Sequence, residues 1–172
     1  MSDFYSPRRA DARFMRSHLA HWIALGLGSG LAPKAPGTIG TLWAWLCWWA
    51  LSLWLSESTR LMVLLVSLPI AWWASERTAR HLGQNDPGAI VVDEVIAFWL
   101  ILWFLGEASW VWQLTGFALF RALDALKPGP VGWADRAFKG GGWRGAFGIL
   151  FDDLVAALLT LVLLALAMRV WP

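Results

Sequence analysis

The chain has 172 residues, is 58% hydrophobic, carries fifteen Trp beside a single Tyr, and has a formal net charge of +2. Such a composition departs from that of an average soluble domain and points to a membrane protein, while so small a net charge gives no reason to expect nucleic acid as a partner. A lone Cys47 excludes an intrachain disulfide and a cysteine-based metal site.

Residues 1–22 contain Arg8, Arg9, Arg13 and Arg16 but no continuous apolar core, which does not resemble a cleavable signal peptide. This segment is expected to be partly helical and to lie on the membrane surface, where each cation near anionic lipid contributes about 1 kcal/mol. In "ALGLGSGLAPKAPGTIGT", residues 24–41, glycines and prolines interrupt regular structure until a helix begins at Thr41. Apolar stretches follow at 41–56, 61–75, 95–105, 110–120 and 154–168. Each is shorter than the roughly 20 residues needed to cross hydrocarbon, so the spans must borrow flanking polar residues or pack inside a bundle. Gly83, Pro87 and Gly88 break the chain before a helix near Ala89, and "KPGPVGWADRAFKGGGWRGAFG", residues 127–148, reads as the longest irregular segment. The expected fold is all-α: one membrane-embedded domain over 1–172, a polytopic bundle of about four to six helices.

Short loops at "SESTR" and "GEAS" leave residues 1–40, 76–94 and 121–153 on one side, with all of the Lys and Arg except Arg60 and Arg169. The positive-inside rule makes that face cytoplasmic. Trp54, Trp110, Trp112 and Trp171 then fall near the far interface, and Trp43, Trp45, Trp72 and Trp73 near the cytosolic one, as an aromatic belt requires.

That cytosolic face also carries Asp86, Asp93, Glu94, Asp124, Asp135, Asp152 and Asp153, with Lys34, Arg121, Lys127, Arg136, Lys139 and Arg144. In "AIVVDEVIAFWLILWFL", Asp93 and Glu94 stand within an apolar run, where unpaired carboxylates would be protonated or strongly destabilising. A divalent cation would relieve several at once, and hard oxygen ligands favour Mg²⁺ over zinc; an ion pair with Arg121 is the structural alternative. Arg121, Asp124 and Lys127 are spaced i, i+3, i+6, along one side of a helix ending before Pro128. They suit either a metal with a phosphate or a salt-bridge ladder. Asp152 and Asp153 open an apolar run, and since neighbours on a helix point about 100° apart, at most one can serve as an N-cap. The second is a candidate metal ligand. Backbone N–H groups, Lys34 and Thr38 ahead of a helix start suit a phosphate, although no Walker A pattern can be read there and a plain turn is the alternative. His18, His21 and His81 are assigned surface roles, and no nucleophile motif is present.

Four blocks, "GLGSGLAPKAPGTIGTL", "DPGAIVVDE", "FRALDALKPGPVGWADR" and "GILFDD", resemble in order and spacing the motif blocks of the phosphatidylglycerophosphatase A family. The resemblance covers most of the chain from Trp22 onward. It implies a helical, Mg²⁺-dependent phosphatase of the bacterial inner membrane, removing the terminal phosphate of phosphatidylglycerophosphate to give phosphatidylglycerol. Asp93, Glu94, Asp124, Asp152 and Asp153 match its acidic positions; Lys34, Thr38, Arg121, Lys127, Asp135 and Arg136 match its polar ones. One departure is "WRGAF" between Gly142 and Gly148, which leaves the role of residues 140–142 open.

Together these readings predict carboxylates from three helix ends holding one or two Mg²⁺, with Asp93, Glu94, Asp124 and Asp153 catalytic and Asp152 a further metal ligand. Lys34, Thr38, Arg121, Lys127 and Arg136 would bind phosphate. Asp93 is the expected general base and Asp135 the residue orienting Arg136. No obligate protein partner is expected. Rival readings are another lipid or polyprenyl phosphate phosphatase, a cation-transporting protein and a structural membrane subunit.

Overall fold

A computed structural model describes residues 9–170; Arg8 and Trp171 of the expected basic segment and aromatic belt lie outside them. Every described regular element is helical: α1 (Ala12–Arg16), α2 (Leu19–Ala24), a 3₁₀ segment (Gly26–Leu31), α3 (Pro36–Ser52), α4 (Glu57–Leu82), α5 (Val92–Leu105), α6 (Trp110–Leu126), α7 (Gly129–Ala137) and α8 (Gly142–Val170). Five long helices form the bundle and the short ones close one end.

α4 and α8 are long and apolar enough to cross a membrane. α4 reaches that length by borrowing the polar flank from Glu76 to His81, and α8 by extending through residues 142–153, which include Arg144, Asp152 and Asp153. By contrast α5, with 14 residues, reaches only about 21 Å and runs through the middle of the bundle, where Ala97, Phe98 and Ile101 are fully buried. Around it Trp48, Phe120, Ala156, Ala157 and Leu164 form one core cluster; Ala20, Ala71, Ala74, Ile96, Ile149 and Leu150 form a second. Alanines recur in both clusters among the larger side chains, allowing close helix approach. Indole N–H groups add cross-ties: Trp99 donates to the Ala44 carbonyl at 2.9 Å, Trp45 to Gln113 Oε1 at 2.8 Å, and Trp72 to the Trp143 carbonyl at 2.7 Å.

Several sequence expectations need correction. The 127–148 stretch is largely helical, since Pro128 and Pro130 start α7 where a missing N–H costs nothing. "WRGAF" belongs to the first turns of α8. For the same reason α3 starts at Pro36, five residues before Thr41. Within residues 9–22, Arg9, Arg13 and Arg16 are exposed while Met15, Ala20 and His21 are buried against the bundle. His21 stacks on Phe14 and its Nε2 lies 2.9 Å from His81 Nδ1, so it has no surface role.

Candidate functional site

Three helices deliver the acids to one end of the bundle. Asp93 and Glu94 occupy the first turn of α5, where the positive end of the helix dipole favours them; they stand at a helix boundary, not midway through an apolar run. Asp124 lies near the end of α6. Asp152 and Asp153 sit well inside α8, which begins at Gly142, so neither caps it. Both are buried, at 6% and 3% exposure. Helix capping therefore accounts for neither acid.

These five line a cleft of about 120 Å³ together with Asp86, Gly88 and Lys127. Ligand atoms of Asp93, Glu94 and Asp153 lie within 4.8 Å of one another, and so do those of Asp124, Asp152 and Asp153. Asp93 Oδ1, Glu94 Oε2 and Asp153 Oδ2 are buried without a hydrogen-bond partner, a costly state unless something else binds them. Hard oxygen donors in this number fit Mg²⁺.

Two cations reach the cluster. Arg121 contacts Asp124 Oδ2 at 2.6 Å and Glu94 Oε1 at 3.6 Å, leaving its own Nε buried and unpartnered. Lys127, the C-cap of α6, adopts a left-handed φ of 45°, a conformation that non-glycine residues seldom take. Its Nζ donates to Asp135 Oδ1 and, at 2.6 Å, to Asp152 Oδ2. Partial burial opposes the ammonium, but the hydrogen bonds to Asp135 and Asp152 outweigh it and hold the Lys127 pKa above the ordinary lysine value. Burial likewise works to raise Asp135, and Lys127 with Lys139 overcomes it, leaving that carboxyl below its usual value. Asp135 thus serves Lys127 and Lys139, at 3.0 Å, and does not orient Arg136 as expected.

The remaining predicted residues do not line the cleft. Lys34 and Arg136 are exposed, and Thr38 is half-buried in the first turn of α3. Sequence reasoning passed over Gly37. A Cβ there would overlap Glu94 Oε1 and come within 2.9 Å of Arg121 Nη2, so glycine is what lets the start of α3 close over the acids. Sequence reasoning named Asp86 among the acids of that face without giving it a role, and Asp86 lines both this cleft and an adjoining one of about 180 Å³ with Asn85 and Lys139. The only sequence signals were a glycine beside Thr38 and an acid in a Pro-Gly turn.

Comparison with known proteins places the chain in a family. The family model described as phosphatidylglycerophosphatase A matches residues 22–168. A phosphatidylglycerophosphatase A of Escherichia coli K12 is 37% identical over 169 residues, covering 96% of this chain and 95% of its own. One of Haemophilus influenzae is 34% identical, covering 88% and 89%. A Bacteroides thetaiotaomicron protein named "Putative phosphatidylinositol-3-phosphatase" is 35% identical, covering 88% and 94%. No solved structure matches the chain significantly.

Proposed function

Because this chain belongs to the phosphatidylglycerophosphatase A family and is accordingly a phosphatase, we propose that it hydrolyses phosphatidylglycerophosphate to phosphatidylglycerol and phosphate. The reaction depends on Mg²⁺ held by Asp93, Glu94, Asp124, Asp152 and Asp153. The protein is a multi-pass protein of the bacterial inner membrane, with the cleft facing the cytoplasm. The observation that carries the reading is the meeting of five carboxylates from three helices with two basic side chains, several carboxylate oxygens buried and unpartnered. Supporting the membrane assignment are the apolar α4 and α8, and supporting the orientation is the crowding of Lys and Arg on the face that carries the cleft.

Bound Mg²⁺ supplies Lewis-acid chemistry, drawing charge from the phosphoryl oxygens. Arg121, whose Nε is free, donates to an equatorial phosphate oxygen and offsets charge in the transition state. Lys127 has one N–H left after Asp135 and Asp152 take two; its raised pKa makes it a fixed positive charge and a poor proton donor. Lys34, Thr38 and Arg136, which lie outside the cleft lining, are assigned to the head group. Asp93 takes the proton of the attacking water as the new P–O bond forms. The bond to the glycerol oxygen breaks, and that oxygen is protonated from solvent at the cleft mouth. The lipid tails stay in the bilayer while the phosphate enters at the depth where the acids stand.

Phosphate release from phosphatidylglycerophosphate in mixed micelles, with Mg²⁺ and with chelator, tests this on wild type and Asp153→Asn. Activity that needs Mg²⁺ and falls by at least ~10²-fold in the variant is the expected result; full activity in either chelator or variant overturns it. The Bacteroides relative's name favours phosphatidylinositol 3-phosphate as the rival substrate, and a faster turnover of that lipid in the same assay would move the assignment to it.

A further inference from the structure

The acids do not converge on one point. They fall into two triads that share a single member, Asp153. Three of the four outer acids are held on one side by the protein's own cations: Asp124 gives Oδ2 to Arg121, Glu94 turns Oε1 toward the same guanidinium, and Asp152 gives Oδ2 to Lys127. Each keeps its other oxygen, and Glu94 Oε2 is buried with nothing to bind it. Asp93 and Asp153 differ: among the described residues no Lys or Arg pairs with either, and Asp93 Oδ1 and Asp153 Oδ2 are buried and unpartnered; of the two only Asp153, 3% exposed, belongs to both triads. A carboxylate with neither oxygen committed to a basic side chain, and shared by both triads, has the arrangement of a bridge.

Two carboxyl pairs reinforce this. Ligand atoms of Asp93 and Glu94, and of Asp153 and Asp124, lie within 4.8 Å of each other. Ionised carboxylates only accept hydrogen bonds, so neither pair can satisfy itself, and a cation between the oxygens relieves both. Charge points the same way. Five carboxylates against Arg121 and Lys127 leave three negative charges, and Lys127 is itself divided with Asp135. Adding a phosphate monoester dianion to that cluster with one divalent cation would leave three negative charges in a mostly buried site; with two cations it leaves one.

We propose that the cleft holds two divalent cations side by side, one seated by Asp93, Glu94 and Asp153, the other by Asp124, Asp152 and Asp153, with Asp153 bridging them. The inference rests on the metal-dependent reading above and fixes its stoichiometry. Paired ions at such spacing clamp the attacking and leaving oxygens of a phosphoryl group, which explains why acids from three helices are gathered where one triad would hold a single ion.

The test uses the full chain in detergent, stripped of metal and titrated with Mn²⁺, read by equilibrium binding and electron paramagnetic resonance. Wild type is expected to bind two Mn²⁺ per chain with an exchange-coupled spectrum. Asp153→Asn is expected to lose the coupling. Glu94→Gln and Asp124→Asn, which empty opposite seats, should each fall from two ions to one and show an isolated sextet; they decide the question if Asp153→Asn does not fold by circular dichroism. One Mn²⁺ per wild-type chain at saturation, or two that stay uncoupled, overturns the two-cation centre. If that single-ion protein still releases phosphate only with Mg²⁺, the proposed function stands without it. No Mn²⁺ bound, together with phosphate release that survives chelator, overturns both.

Discussion

Gly37→Ala separates the geometry of the site from the stability of the fold. The added methyl would overlap Glu94 Oε1 and sit 3.1 Å from Glu94 Cδ and 2.9 Å from Arg121 Nη2. All three atoms end flexible side chains, so the clash is relieved by moving the Glu94 carboxylate by about 1 Å, with a smaller shift of the guanidinium, not by moving backbone. Overpacking of this kind costs about 1–3 kcal/mol, and replacing glycine by alanine within a helix returns up to ~1 kcal/mol, so the net loss of stability is about 1 kcal/mol. Catalysis is more sensitive, because a misplacement of about 1 Å can cost ~10²-fold. The expected outcome is a melting temperature in detergent lowered by only a few degrees (about 2–4 °C per kcal/mol at this chain length), with kcat for phosphate release reduced ~10²-fold. Wild-type kcat in a folded Gly37→Ala protein would refute the argument that this glycine admits α3 to the acids. A loss of folding would refute the argument that the side chains can yield.

Gly30→Ala is the contrasting case: its Cβ would overlap the Ala89 carbonyl oxygen and lie 3.1 Å from the carbonyl carbon, and backbone cannot step aside. Its melting temperature should fall further than that of Gly37→Ala, checked by the same thermal scan. Phe98→Ala removes a fully buried ring that contacts Trp45, Phe117 and Phe120, and should cost about 3–5 kcal/mol in denaturant unfolding. Asp135→Asn should lower stability near neutral pH by about 1 kcal/mol or less, since Asp135 is only partly buried. Because the Asp135 pKa is depressed in the folded protein, its contribution is complete above the ordinary value of 3.8 and is lost as the pH falls through the folded value. The melting-temperature gap between variant and wild type should therefore hold at neutral pH and close in acid. Chelator should lower the wild-type melting temperature, because the metal binds only the folded cluster, and should leave Asp153→Asn less affected.

A single sequence was enough to read the helical class, the apolar stretches and the group of acids out of place among them. Those features are local: hydropathy and charge are properties of neighbouring residues, and the identity of Asp93, Glu94, Asp124, Asp152 and Asp153 follows from their being ionisable where apolar residues surround them. Proline and glycine misled where they begin helices instead of ending them, as at Pro36, Pro128 and Gly142; the same residue types serve both purposes and only the following packing decides. Tertiary structure alone decided which acids meet. Asp153 joins Asp93 and Glu94 on one side and Asp124 and Asp152 on the other, Lys127 claims Asp135, and Gly37 lets α3 rest on Glu94. These contacts span dozens of residues and depend on how α3, α5, α6 and α8 rotate and slide against one another, which is settled by the fit of buried side chains such as Phe98 and Ala156 and by no pattern within any one helix.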